Sequence, residues 1–286
     1  MHGGTGLAVI PPEHTRLSQA LSVPGAQWSV LAHPLDGPET PLVEHESATV
    51  LASASTAKIL LLIALADRIE AGVLSPDQPV ARTDTEPVAD SGIWQHLRID
   101  ELALADAARL VGLASDNWAT NALIDVVGGI EVIAAVAERA GLTGIGLHDK
   151  VRGVRTGGQP KTLSTGSAAG YVNVMAALAQ RRMLGAAVSE RVWEWLSDGL
   201  DLSMVASAFG LDPLSHSGSD RGLSVTNKTG TDAGVRADVG VVSGPAGRVV
   251  YACVANWRVA DERDETRDAV LAVMREIGVV LREVVT

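Results

Sequence analysis

Strand-like patterns lie at both ends of this 286-residue chain, and helical periodicity fills the middle. The stretches 26–32 and 49–52 read as strands, after a short helix near 12–21. From Ser55 to about Gly210 apolar residues recur at helical spacing, giving expected helices at 55–71, 99–113, 118–127, 130–140, 167–179 and 189–196. Strand signals return at 224–228, 237–242 and 248–256, the last two joined by a turn at 243–247, and a helix over 264–283 closes the chain. Its acidic start suits the helix dipole. Strands at both ends separated by helices imply that the ends meet in one sheet. The expected fold is therefore α+β: an antiparallel sheet flanked by terminal helices plus an all-helical lobe. The sheet lobe would be discontinuous, 1–54 with 211–286, and the helical lobe would span 55–210.

Composition narrows the partners. Lysine and arginine number 23 against 34 aspartates and glutamates, a net charge of −11, which argues against nucleic acid or an anionic membrane surface. A small-molecule ligand is expected. Cys253 is the single cysteine, so no intrachain disulfide can form, and its apolar, strand-like neighbours suggest an inert buried thiol. The seven histidines show no paired ligand spacing, so neither a metal nor a cofactor is expected. The N-terminus has no basic region leading into an unbroken apolar run, and no stretch is suited to span a bilayer. As given, the chain reads as cytoplasmic; it would be exported if it is a mature or trimmed form.

Three short segments carry the chemistry. Ser55-Thr56-Ala57-Lys58 stands at a helix start, Ser115-Asp116-Asn117 between two helices, and Lys228-Thr229-Gly230 on a strand. Each has a plain alternative. Ser55 could be an ordinary N-cap, the second segment a helix cap or turn, and Lys228 an exposed strand lysine. Lys58 fits the capping reading badly, because a lysine in a first helical turn faces the positive end of the dipole and this one runs into apolar residues. A serine and lysine three apart on a helix share a face, so the amine could take the hydroxyl proton, and burial would favour its neutral form.

Taken together and in this order, the three segments resemble the signature of class A β-lactamases and penicillin-binding proteins. That resemblance implies that Ser55 is a nucleophile forming an acyl-enzyme and Lys58 its base. Ser115 would pass a proton to the leaving nitrogen, with Lys228 favouring its ionisation and attracting an anionic, carboxylate-bearing substrate. Asn117 would hold a side-chain amide of the substrate. Backbone N–H groups of Ser55 and of Thr231, which follows Gly230, would form the oxyanion hole. Thr229 and Arg236 would receive the carboxylate, although Arg236 could equally be an ordinary surface arginine. The implied substrates are β-lactams, small esters or D-alanyl amides.

One departure stands out. Class A enzymes carry a water-activating glutamate about 35 residues beyond the Ser-Asp-Asn segment. Here no glutamate occurs between Glu138 and Glu190, and Asp149 is the sole carboxylate in that interval. Asp149 is expected to be a surface turn residue. Acylation should be intact while deacylation is slow, and a binding or sensor protein that keeps its adduct is the alternative. Trp94 is expected in the core, with a shelf for the substrate as the other reading.

Overall fold

The computed structural model describes residues 21–84, 88, 91–215, 218–260 and 263–286. The expected helix near 12–21 lies, but for Leu21, outside the described residues.

In chain order the strands and α-helices are β1 (Ala26–Pro34), β2 (Val43–His45), β3 (Leu51–Ala52), α1 (Lys58–Glu70), β4 (Pro79–Ala81), β5 (Glu101–Ala103), α2 (Leu104–Ala114), α3 (Asn117–Val127), α4 (Ile130–Arg139), β6 (Ile145–Leu147), β7 (Ser164–Gly166), α5 (Ala168–Ala179), α6 (Ala186–Leu196), β8 (Ser224–Asp232), β9 (Val235–Gly244), β10 (Gly247–Trp257) and α7 (Glu265–Val285). The two chain ends meet: β2-β1-β10-β9-β8 form one antiparallel sheet, with Val30 opposite Cys253 and Thr226 opposite Val241.

Alternation builds a core on each face of that sheet. Val250, Ala252 and Val254 join α1, α5 and the helical lobe, while Val249, Tyr251, Cys253 and Ala255 meet α7 and the 3-10 turn Val205–Phe209. Period-two burial of both faces is what a central strand between two layers requires. Cys253 is fully buried, as expected. So is Trp94, whose indole N–H donates to the Ile99 carbonyl at 2.9 Å.

Local differences from the sequence reading are instructive. The start of the expected helix 55–71 is a 3-10 turn, Ala54–Ala57, and α-helix begins only at Lys58. Residues 101–103, expected to be helical, form β5 instead because β4 pairs with them. The lobe built on helices thus also carries short strands, and the small sheet β3-β7-β6 fastens its loop 148–163 beside the turn that bears Ser55.

Candidate active site

Two turns with left-handed backbone shape the cleft. Ala54, immediately before Ser55, has φ +48°, and Ser115, between α2 and α3, has φ +55°. Side chains other than glycine rarely adopt this region, and strain of this kind persists only where the surroundings over-determine it. At Ser115 the surroundings are Asp116, which caps α3 by accepting from Ala119 N at 2.9 Å. Its other carboxylate oxygen accepts from Ile93 N and Trp94 N at 2.7 and 2.8 Å, locking the cleft segment 91–94 to the turn. A Cβ on Gly92 would lie 2.4 Å from that oxygen, so glycine is required there.

Lys58 is completely buried. Its Nζ contacts the Ser115 carbonyl at 2.7 Å, Asn117 Oδ1 at 2.9 Å and Ser115 Oγ at 3.3 Å. Burial, reinforced by the nearby Lys228 charge and only partly opposed by Asp116, holds the amine well below the ordinary lysine range. Lys228, also buried, reaches Ser115 Oγ at 2.9 Å and its neighbour's carbonyl, Thr229 O, at 2.9 Å. Desolvation pulls it down to about 8, against the pull of the Asp201 and Asp238 carboxylates. Two buried amines therefore converge on one hydroxyl.

Ser55 lines the same cavity, of about 730 Å³, together with Ser115, Asn117, Lys228, Thr229 and Thr231. Among the described residues its hydroxyl has no hydrogen-bond partner, and the Lys58 amine is turned to the α2–α3 connection. The pair on one helical face is thus a 3-10 residue followed by the first α-helical one, neighbouring but not bonded. Gly230 does not line the cavity; it lets the strand approach. A Cβ there would sit 2.2 Å from the Ser53 carbonyl and 2.5 Å from Thr56 Oγ1, so only glycine brings β8, and Thr231 after it, against the Ser55 turn.

Arg236 is not brought into the cavity wall. Its guanidinium donates to the carbonyls of Asp232 and Val235 at 3.0 and 2.8 Å and lies over the Trp257 ring, 5.8 Å from the centroid. In the β8–β9 register it stands opposite Thr231, which lines the cavity, and it is half-buried.

Asp149 corrects an expectation. It is buried, at 7% exposure, because its carboxylate is the hub of its own loop. It accepts from Arg152 Nε and Nη2 at 2.8 and 2.9 Å, from Arg155 Nη1 at 2.5 Å and from Lys150 N at 2.8 Å. These donors outweigh desolvation and keep its carboxyl below the usual range. Asp149 does not line the cavity; Val151, Arg152 and Arg155 do.

Four positions at or next to the site were missed from sequence. Asn121 stands one turn after Asn117 on the same helix and binds both backbone groups of Val151. That i,i+4 asparagine pair was the available signal. Arg152 and Arg155 lie three and six residues after Asp149, a spacing suited to a local ion-pair cluster. The fourth is Asp238, completely buried on β9 opposite Thr229, which accepts from Asn227 and Tyr251 at 2.9 Å each.

A helical lobe closed over the edge of a five-stranded antiparallel sheet, with Ser-Lys and Lys-Thr-Gly segments at the junction, defines the class of serine β-lactamase and penicillin-binding-protein folds. The chain belongs to the Beta-lactamase enzyme family, whose model matches residues 14–281. Among solved structures it is similar to a β-lactamase from Sphaerobacter thermophilus, at 24% identity, 94% coverage of both chains and a TM-score of 0.76. It is also similar to a PBP-A variant solved as an acyl-enzyme complex with penicillin G (21% identity, 96% of this chain and 98% of that one, TM-score 0.75). A class A β-lactamase from Mycobacterium abscessus matches at 18% identity over 93% and 97%, with a TM-score of 0.75. At these identities the likeness is one of fold. No curated protein matches the chain.

Proposed function

We propose that the chain is a serine hydrolase that forms an acyl-enzyme on Ser55 from a β-lactam, a small ester or a D-alanyl amide, and releases the acyl group slowly. The observation that carries the reading is the convergence of Lys58 and Lys228 on Ser115 in a cavity that Ser55 also lines.

The neutral form of Lys58, favoured by burial, takes the Ser55 proton as the hydroxyl oxygen bonds to the carbonyl carbon. Backbone N–H groups of Ser55 and Thr231 receive the developing oxyanion. When the tetrahedral species collapses, the bond to the leaving nitrogen or oxygen breaks. Ser115 hands that atom a proton and is resupplied through the amines it touches. Lys228 and Thr229 provide the cationic and hydroxyl contacts for a substrate carboxylate, and Asn117 holds a substrate amide.

Breakdown of the ester needs a base for water. Asp149 faces its arginines, and the loop residue that lines the cavity two positions on, Val151, is aliphatic. The same observation supports the second reading, a sensor or binding protein acylated once. A chromogenic cephalosporin assay followed by intact mass separates the two. Many turnovers support the hydrolase, and one stable adduct supports the sensor. Absence of both with β-lactams, esters and D-alanyl amides overturns the acylation chemistry.

A further inference from the structure

In a chain with a net charge of −11, one wall of the cleft is basic. Arg152 and Arg155 line the cavity with Ser55 and Asn117, and both lean on the same carboxylate, that of Asp149. One carboxylate between two guanidinium groups leaves the cluster a net positive charge. Lys150 does not alter this balance, since its amine pairs with Asp125 at 2.5 Å. Arg155 is further engaged by the Pro160 and Lys150 carbonyls at 3.3 and 3.4 Å. Arg152 directs Nε and Nη2 to Asp149, and among the described residues its Nη1 has no acceptor. Among the described residues two carboxylates also line the cavity: Asp201, which accepts from Ser203 N and Oγ at 3.1 and 2.6 Å and whose charge acts on Lys228, and Asp232, which accepts from Ala233 N at 2.7 Å; neither pairs with Arg152.

The location of this wall decides what it meets. Val151 is tied to Asn121, one helical turn beyond Asn117, so Arg152 follows along the cleft from the residue assigned to the substrate's amide. The Lys228 contacts lie on β8, a different wall. We infer that Arg152, braced by Asp149 and Arg155, binds a second acidic group on the acyl side of the ligand. The preferred substrates are then acylating agents with two carboxylates. A guanidinium preset by one carboxylate loses little freedom on binding another.

The inference rests on the proposed acylation site, and its test is kept separate from the chemistry. Two penams that differ only by a side-chain carboxylate, the 6-phenylmalonamido and 6-phenylacetamido compounds, are titrated calorimetrically into the full chain carrying Ser55→Ala. The dicarboxylate is expected to bind about three- to tenfold more tightly, the range between an exposed ion pair and a charge-assisted hydrogen bond. That advantage should shrink with added salt. It should fall to about one in Ser55→Ala/Arg152→Gln and survive in part in Ser55→Ala/Arg152→Lys, with circular dichroism confirming that each variant is folded. A ratio of one in the parent, a ratio that survives Arg152→Gln, or no binding of either penam overturns the inference. If the chain with Ser55 intact forms no adduct while Ser55→Ala discriminates, the acylation reading fails and the Arg152 site for a second acidic group stands. If adducts form but affinities are equal, the reverse holds.

Discussion

Asn121 grips Val151 by both backbone groups: its Nδ2 donates to the Val151 carbonyl at 2.9 Å, and its Oδ1 accepts from the Val151 amide at 2.8 Å. The grip fixes the loop at a residue that lines the cleft. A carboxylate placed there would be held on the wall of the acylation site. Val151→Glu should therefore accelerate the slow phase of a β-lactam progress curve by about 10²- to 10⁴-fold, the usual worth of a general base, and diminish the adduct seen by intact mass. An unchanged slow phase in a folded variant would show that water is activated elsewhere.

Ser55→Ala should abolish covalent labelling by penicillin while leaving the melting temperature close to that of the parent, since the hydroxyl has no protein partner among the described residues. Lys58→Ala should slow acylation by roughly 10²- to 10⁴-fold. Peptide mapping of the adduct checks both. Labelling that persists in Ser55→Ala would move the nucleophile to another residue.

Acylation should fall as pH rises through about 8, where Lys228 loses its proton and with it the cationic wall that meets the substrate. Lys58, which burial and the Lys228 charge hold well below the ordinary lysine range, contributes the opposing limb, acylation rising with pH as its amine loses its proton. The pH profile of the burst rate with a carboxylate-bearing β-lactam measures this. A profile flat from pH 7 to 9 would remove Lys228 from the rate-determining contacts.

Asp238 predicts a stability slope. Burial raises its carboxyl to about 6 against the donors Asn227, Tyr251 and Ala206. A carboxyl raised in the folded state binds more protons there than in the unfolded chain, so its contribution is fully present at low pH and is lost as pH rises through about 6. Relative to Asp238→Asn, the parent should lose stability between pH 4 and 6. The variant's amide opposes the Ala206 N–H and so adds a constant offset, which leaves the slope as the readout. Urea titrations at several pH values measure it, and parallel curves would contradict it.

The long elements were readable because periodicity and burial agree in them: β1, β10, α3 and α4 lie within a few residues of their expected positions. Short elements were not, because their stability comes from partners. Glu101–Ala103 is a strand only through Pro79–Ala81. The 3-10 turn at Ser55 cannot be told from the first turn of a helix by apolar spacing. At the cleft, the three sequence segments do converge, since each sits at an element end that the sheet and α3 bring together. Arg236 could not be placed from sequence because the ring it lies over, Trp257, is remote in the chain. Asp149 was misjudged for the opposite reason: its partners are local, and a loop that satisfies its own charges buries them.

Joining β1 to β10, the first and last strands among the described residues, has a consequence for how the molecule is made. Asp36, just after β1, pairs with Arg248 on β10 across 212 residues of sequence. At roughly 5–20 residues per second, a ribosome takes about ten to forty seconds to cover that distance. During that time β1 has no β10 to pair with, and Trp28, Val30 and Ala32, all buried in the finished sheet, have no opposite layer. Such non-local closure slows folding and exposes a sticky edge. The nascent chain is thus most vulnerable to misassociation before its final strand emerges.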